Sequence, residues 1–355
     1  MKRFFVFLGV VFMTIGSAVS AQEADSMAPL QKSSWGDAKT DELIDYMPDI
    51  SLDTRFGYNH DFTGGSGRIF GDGLYLDING YISPHFSYSL NHRIASTYYE
   101  DNSGFNGTNW LTLTYETDSF SVTAGKDALL VGSFEYDAYD LDTYYDMNSM
   151  FYNMLDCWQW GVSAAWYPAD GQSVIFQFAN SPFAWEDDLF AYNAAWRGEW
   201  DFYESYWTVN MWQFEPERYV KALNLGNRFY LGGLTFDLEY MTRSASLNSL
   251  FKDDFTFIAA PSYEFGDMFR AFAKFGWERT AADLPYELAY EEYMGSDYLF
   301  YGAGIEFFPL KEDKDIRLHA AWSSNNFGDN FLNVGLTWKF NLTGAAKHMF
   351  GKLCR

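Results

Sequence analysis

The sequence predicts a closed, 16-stranded antiparallel β-barrel that spans a membrane, and three observations lead to this fold class. From about residue 48 onward, apolar and polar residues alternate over segments of about ten positions, as in strands with one face in lipid and one in water. Aromatic residues make up 21% of the chain, and Tyr and Trp favour sites where a ring meets both an apolar phase and water. Beyond the N-terminus, no segment approaches the ~18 consecutive apolar residues of a spanning helix, so strands must make any crossing.

The N-terminus has the pattern of an export signal. Lys2 and Arg3 precede an apolar run from Phe4 to Ile15, and Val19-Ser20-Ala21 supplies small residues for cleavage. We therefore predict a signal peptide at 1–21. Losing its two positive charges takes the formal net charge from −24 to −26, and a protein this acidic is not expected to bind nucleic acid.

The rest of the chain divides into three parts. Residues 22–47 are polar and predict a lead segment on the periplasmic side, and residues 48–340 carry the alternation of the transmembrane barrel. A tail follows at 341–355. The segment from Leu332 to Phe340 is the clearest strand, since every second residue in it is apolar. The strands are predicted near 49–60, 70–80, 85–94, 107–116, 119–126, 157–167, 172–179, 190–200, 203–213, 222–231, 234–243, 253–263, 268–278, 297–308, 316–323 and 330–340.

The connections between these strands alternate between tight turns and longer links. Turn residues stand at Ser83-Pro84, Ala169-Asp170-Gly171 and Gly232-Gly233, whereas longer links include 61–69, 127–156, 214–221, 279–296 and 324–329. Short turns on one rim and long loops on the other are typical of outer-membrane barrels, whose short turns face the periplasm. Lipid offers no partner to an open sheet edge, so the first strand must pair with the last, and sixteen strands leave room for an aqueous channel.

Charged residues fall almost entirely on one face of the predicted strands, which is therefore the lumen face. A charge at mid-depth on the lipid face would cost about 2–4 kcal/mol. The predicted pore wall includes Arg93, Glu116, Arg197, Arg228, Glu239, Arg270, Lys274, Arg317 and His319.

The longest link, 127–156, is predicted to fold inward as a constriction loop. Its Ala128–Val131 stretch is apolar enough to pack against the wall, and acids facing wall arginines would create a transverse field in the throat. The alternative is a solvated outer loop. The candidate constriction residues are Lys126, Asp127, Glu135, Asp137, Asp140, Asp142 and Asp146.

Metal, cofactor and catalytic sites are not expected. Asp137, Asp140 and Asp142 could supply oxygen to calcium, but the spacing lacks the Gly and distal Glu of an EF-hand loop. No nucleophile elbow, HExxH or phosphate loop accompanies the five histidines, so we predict that the chain is not an enzyme. Cys157 and Cys354 give neither a metal spacing nor a disulfide framework.

Three stretches carry a resemblance to a known family. Ile78 to Arg93 (INGYISPHFSYSLNHR) is similar to the second and third strands of the phosphate-selective porin O and P family, and Ala124 to Asp137 (AGKDALLVGSFEYD) resembles its fifth strand and constriction loop. The closing LNVGLTWKF resembles its last strand. The resemblance implies a 16-stranded barrel in the outer membrane, usually a homotrimer, that conducts small solutes.

Two departures from the family shape the functional expectation. Phosphate-selective members have a throat lined by lysine and arginine, whereas this loop has Lys126 at its entrance and then only acids. The tail beyond Phe340 is the second departure. We therefore expect passive diffusion of small hydrophilic solutes or ions, general or cation-preferring. A channel specific for sugars or peptides, indicated by Tyr136, Tyr139, Tyr144 and Tyr145, and an anion-selective pore are the alternatives; a barrel enzyme or adhesin is a third class.

Overall fold

The computed structural model describes residues 46–94, 105, 107–138, 140–145, 148–183, 188–244, 254–280, 297–310 and 314–346. The predicted signal peptide, nearly all of the lead segment 22–47 and the tail from 347 onward lie outside the described residues.

The described residues form sixteen strands, as predicted. The alternation placed most strand ends within two residues of the observed ones, because each strand keeps one apolar face. The strands are β1 Asp49–Asp61, β2 Ser66–Ser83, β3 Phe86–Arg93, β4 Thr108–Glu116, β5 Phe120–Ala128, β6 Trp158–Ala169, β7 Gln172–Asn180, β8 Phe190–Trp200, β9 Tyr203–Glu215, β10 Arg218–Leu231, β11 Leu234–Ser244, β12 Phe255–Phe265, β13 Phe269–Arg279, β14 Asp297–Phe307, β15 Ile316–Asn325 and β16 Asn330–Asn341.

All strands belong to one closed antiparallel barrel in which each strand pairs with its neighbours in sequence. β1 closes the barrel against β16, with a register that runs from Ser51 opposite Asn341 to Asp61 opposite Phe331. Closure leaves no unpaired sheet edge. The predicted fold class is confirmed.

The two rims differ as predicted, except at two links on the loop rim. The turn rim has tight joints, where Gly171, Gly232 and Gly266 adopt positive φ angles of 66°, 65° and 64°. On the loop rim, the link predicted at 214–221 is wrong in length, because β9 continues to Glu215 and β10 begins at Arg218. The link predicted at 61–69 is wrong in the same way, because β1 continues to Asp61 and β2 begins at Ser66. Outside the apolar layer a strand can be polar on both faces, so the alternation that marks its lipid-facing part stops before the strand does.

Large apolar side chains cover the outside of the barrel. Exposed examples on the predicted outward face are Leu113, Val122, Trp160, Val162, Trp166, Phe176, Trp207, Val209, Phe275, Trp277, Ile305, Leu318 and Trp322. On the opposite face, Arg197, Glu239, Glu278, Glu306 and Arg317 are buried within the molecule. The barrel is therefore apolar outside and polar inside.

Among the described residues, no helix has both the length and the hydropathy needed to cross a membrane.

A helical segment at 342–346 follows the last strand and holds the start of the tail against β1. The Thr343 hydroxyl accepts from Ile50 N at 3.0 Å and donates to Pro48 O at 2.8 Å. The first residues past β16 thus tie the two ends of the barrel together at the turn rim.

Candidate functional site

The long link between β5 and β6 enters the lumen directly after β5. It contains two short α-helices, α1 (Phe134–Asp137) and α2 (Met150–Met154), and a 3-10 helix (Asp140–Asp142). Leu129, Leu130 and Val131 are 0%, 7% and 0% exposed. The described part of the link lies inside the barrel and is not a solvated loop beyond the rim; residues 129–155, apart from 139, 146 and 147, are called the lumen loop below.

Side-chain amides of the wall satisfy the backbone of the lumen loop's first residues. Leu130 N donates to the Gln177 side-chain oxygen at 3.0 Å, and Asn210 Nδ2 donates to Leu130 O at 2.6 Å. The next carbonyl, Val131 O, accepts from Thr208 Oγ1 at 2.9 Å and from Asn224 Nδ2. A buried backbone without a strand partner needs such substitutes, because each unpaired polar group would carry its desolvation cost.

Glu239 on β11 holds the start of α1. Its carboxylate accepts from the backbone N–H of Phe134 at 3.0 Å and of Glu135 at 3.1 Å. The Ser133 hydroxyl caps the same end by accepting from Tyr136 N at 3.3 Å. Glu239, a predicted wall residue, is 2% exposed and therefore serves to dock the loop.

The loop then crosses the lumen. Asp137 forms an ion pair of 2.5 Å with Arg197 on β8, whereas Asp142 pairs with Arg317 on β15. On the same side as Arg317, Arg55 of β1 donates to Leu141 O at 3.1 Å and to Thr143 O at 2.7 Å. Since β8 lies opposite β16 in the closed strand order, and β15 and β1 flank β16, the chain between the two ion pairs runs from one side of the barrel to the other.

The return path of the loop follows β15, β14 and β13. The Tyr144 ring stacks on His319 with centroids 4.0 Å apart, and its hydroxyl donates to Glu306 Oε1 at 2.6 Å. Burial and the adjacent Glu306 raise the pKa of Tyr144 well above its ordinary value, so the hydroxyl remains a donor. Lys274 of β13 then donates to Asn148 Oδ1 at 2.7 Å, and the same ammonium pairs with Glu135 of α1 at 2.5 Å.

Glycines on the wall make room for the lumen loop. A side chain at Gly302 would meet the Tyr145 ring at 2.5 Å, and one at Gly335 would meet the His319 ring, on which Tyr144 stacks, at 2.7 Å. At Gly226, the added atom would lie 2.9 Å from Gly132 O in the loop. The wall is therefore shaped for a docked loop.

An apolar core fills the space between the loop and one side of the wall. Leu129, Val131, Phe151 and Leu155 pack with wall residues that include Trp212, and Phe151 stacks on Trp212 at 5.7 Å. Fully burying each such side chain contributes about 1.5–3 kcal/mol. The core therefore holds the loop against the wall.

The lumen loop divides the lumen face of the wall into two parts. The covered arc lies under the loop. Its residues include the following, each at most 2% exposed: Asn210, Asn224, Glu239, Arg243, Thr256, Ile258, Glu278, Phe300 and Glu306. The open arc lies on β3 to β6. Its residues are Ser87, Ser89, Thr112, Thr114, Glu116, Thr123, Asp127, Gln159 and Ser163, of which Thr123 is buried and the others are partly exposed. Water has access to the second arc.

The predicted constriction residues separate into three groups. Glu135, Asp137 and Asp142 lie in the lumen loop and pair with wall bases. Asp127 lies at the end of β5 on the open arc, whereas strand alternation puts Lys126 on the opposite face, where Nζ donates to Phe105 O at 3.2 Å. For Asp140 only the backbone is described, and Asp146 lies outside the described residues.

The remaining predicted wall residues are also found mostly in pairs. Arg228 bonds Asp237 through two nitrogens, at 2.6 and 2.9 Å, and Arg270 pairs with Glu306. Arg93 lies over the Tyr75 ring at 5.1 Å. Glu116 is the last residue of β4, at the turn rim.

These contacts correct the expectation of a transverse electric field between the loop acids and distant wall arginines. Asp137 and Asp142 touch their arginines, so the opposite charges cancel locally instead of acting across an open throat. Burial raises the pKa of Asp137 above its ordinary value, and the adjacent Arg197 opposes that rise. Asp137 and Asp142 also point to opposite sides of the barrel, which separates two of the three carboxylates considered for calcium. Within the described residues, no His, Cys, Asp and Glu cluster could hold a metal ion.

Sequence reasoning did not identify Arg55 and Arg243. Arg243 is 1% exposed, pairs with Asp254 and with Glu278 at 3.1 Å, and lies over Phe151 of α2 at 4.3 Å. Arg55 is two positions from Asp53, and Arg243 is four positions from Glu239. An even spacing puts both residues of each pair on the same face of a strand, so the sequence could have placed both arginines on the lumen face.

Comparison with known proteins identifies a family for part of the chain. Residues 72–203 match the family described as phosphate-selective porin O and P. The predicted resemblance is confirmed over this range, which includes β3 to β8 and the lumen loop. No curated protein matches the sequence.

Solved structures share the barrel. OmpT of Vibrio cholerae, in a trimer form, has a TM-score of 0.58 at 12% identity over 83% of this chain and 99% of its own. A variant of the Rhodobacter blastica porin has a TM-score of 0.54 at 14% identity over 83% of this chain and 100% of its own. Identities this low establish a common fold.

Proposed function

We propose that this chain, a porin barrel with the O and P family match over residues 72–203, admits small hydrophilic solutes and ions passively and without anion preference. The observation that carries the proposal is a closed barrel, apolar outside and polar inside, narrowed by a loop fixed in its lumen. The family and the fold favour a channel over an enzyme and the outer membrane as its location.

A general or cation-preferring selectivity follows from the pairing of lumenal bases. Arg197, Arg228, Arg270, Lys274 and Arg317 each lie within 4 Å of a carboxylate, so their attraction for a passing anion is largely cancelled. Anion-selective pores instead present arginine and lysine to the solute. The sugar or peptide alternative loses its support from Tyr144, which stacks on His319 and is 2% exposed.

Planar-bilayer recording of the purified protein tests this function. We expect discrete conductance steps and a reversal potential in a KCl gradient whose sign reports weak preference for K⁺ over Cl⁻. A bilayer that remains sealed at every protein concentration would contradict the pore, and a reversal potential of the opposite sign would contradict the selectivity.

The remaining features complete the proposal. Residues 1–21 direct export and are removed, residues 22–47 and 341–355 flank the barrel on the periplasmic side, and the turn rim faces the periplasm. The mature chain assembles as a homotrimer surrounded by outer-membrane lipid; OmpT, which shares the fold, is described in a trimer form. The mass of the mature protein and chemical crosslinking in detergent test cleavage and assembly.

A further inference from the structure

Asp127 differs from Glu135, Asp137 and Asp142 of the lumen loop in having no basic partner among the described residues. Glu135, Asp137 and Asp142 each contact a wall lysine or arginine. The described contact of Asp127 is with its neighbour, since Oδ1 accepts from Ala128 N at 2.8 Å. Within the described residues its charge is therefore not neutralised by an ion pair.

The surroundings of Asp127 form a cleft in the open arc. The cleft is open to solvent and encloses only about 10 Å³, and its lining includes Thr123, Gln159, Ser163 and Gln177 beside Asp127. Carboxylate, hydroxyl and amide oxygens are the ligands that hard cations prefer, and a hydroxyl or amide oxygen also accepts from an ammonium group.

Two glycines form the floor of the cleft. Gly125 and Gly161 pair across β5 and β6, between Thr123 with Ser163 on one side and Asp127 with Gln159 on the other. Gly125 has a φ of 139°, and an added carbon would collide with Leu111 O. At Gly161 the carbon would collide with Phe178 O. The wall therefore has no side chain at the place where a solute can approach the Asp127 carboxylate.

The cleft is fixed by the base of the lumen loop. Gln177 donates through Nε2 to Ala128 O at 2.8 Å and accepts through Oε1 from Leu130 N and Asn193 Nδ2, at 3.0 and 2.9 Å. These bonds hold Gln177 and the end of β5 together, so Asp127 is presented by a rigid frame, as a selective site requires.

We propose that Asp127 and this cleft form a recognition subsite for small monovalent cations, inorganic ions and primary alkylammonium groups alike. This subsite rests on the proposed pore and places its selectivity on the open arc. A cation moving along the arc meets the Asp127 carboxylate, to which no base among the described residues is paired, with neutral oxygens around it, whereas the same charge repels an anion.

The test compares Asp127→Asn with a matched control, Asp118→Asn, which removes the same charge from the exposed turn between β4 and β5. Asparagine can still accept from Ala128 N, so Asp127→Asn keeps the local fold. In planar bilayers we expect Asp127→Asn to lower the K⁺ to Cl⁻ permeability ratio and to weaken current block by propylammonium roughly tenfold, the loss expected for one nearby charge. Asp118→Asn should leave both within about twofold, because charges beyond a Debye length are screened.

Ser163→Ala distinguishes a binding site with specific oxygen ligands from a general electrostatic effect of the Asp127 charge. It removes one cleft oxygen without changing any charge, so propylammonium block should weaken by about threefold, one modest hydrogen bond, while the reversal potential stays unchanged. Equal behaviour of Asp127→Asn and Asp118→Asn overturns the subsite in a protein that still conducts. Loss of conductance in the unmodified protein would instead overturn the pore.

Discussion

The covered arc and the open arc share one sheet and one alternation, yet they have different environments. On the covered arc, Asn224 and Glu278 are 0% exposed beneath the lumen loop. On the open arc, Thr112 and Ser163 point into the same lumen and remain partly exposed. The alternation along a strand therefore determines only whether a side chain faces lipid or the lumen. The path of the lumen loop determines whether a lumen-facing side chain is buried in the core or lines the pore.

The residue types in the two arcs reflect this division. The covered arc combines glycines, apolar side chains and paired charges, because groups taken out of water must pack or be neutralised. The open arc carries hydroxyls such as those of Ser87 and Thr112, for which water is a sufficient partner. The difference predicts that equivalent substitutions have unequal effects in the two arcs.

The largest effect is expected from Arg243→Met. The substitution leaves the buried carboxylates of Asp254 and Glu278 without their cation, which costs about 3–5 kcal/mol. Urea unfolding in detergent micelles measures the loss. The control is Arg218→Met, which breaks an ion pair with Glu215 whose side chains are 56% and 55% exposed; such a pair contributes ~0–1 kcal/mol. Equal losses in both variants would contradict a dry covered arc.

Arg197→Met should cost roughly 3 kcal/mol at neutral pH, because Asp137 is left buried and charged. The docked loop already raises the pKa of Asp137, and loss of Arg197 raises it further. A docked state that binds the proton more tightly than a released one gains stability as pH falls through that raised pKa. Acid should therefore restore stability to the variant, measured by urea unfolding across pH; a further loss at acid pH would argue against a buried Asp137.

Gly302→Val tests the close approach of Tyr145. The new side chain must displace the ring or the strand, and overpacking of this kind costs about 1–3 kcal/mol. We also expect noisier single-channel current, because the return path of the loop is no longer held. Steady current together with unchanged stability would mean that Tyr145 does not pack on this glycine.

Thr112→Val should have the smallest effect on stability, within about 0.5 kcal/mol, because it changes a water-exposed side chain away from the loop. The same unfolding measurement checks it. A loss comparable to that of Gly302→Val would mean that the open arc is packed and not wet.

Most of the fold could be predicted from the sequence. Alternation such as that from Leu332 to Phe340 fixes both the strand and its lipid face, and closure follows from the absence of hydrogen-bond partners in lipid. The inward fold of the long link was predicted from Ala128–Val131, and these residues do contact the wall. Strand ends outside the apolar layer, as at Glu215 and Arg218, were missed because no lipid enforces a pattern there.

The partners within the lumen could not be predicted. The pairing of Asp137 with Arg197 and of Asp142 with Arg317 depends on where the loop crosses, and that path is set by glycines and amides on strands distant in sequence. Gly226, Gly302 and Asn224 have no local pattern that identifies them as docking positions. That Asp127 has no ion pair among the described residues follows only once the partners of Glu135, Asp137 and Asp142 are assigned.

Cysteine accessibility tests the division of the lumen most directly. In a background lacking Cys157 and Cys354, Thr112→Cys places a thiol on the open arc, and Ala222→Cys places one in the apolar core under the loop, where Ala222 is 3% exposed. A charged, water-soluble methanethiosulfonate should modify Thr112→Cys rapidly and reduce its single-channel conductance, and should leave Ala222→Cys unmodified. Equal modification of both thiols would contradict a permanently docked loop and a single open arc.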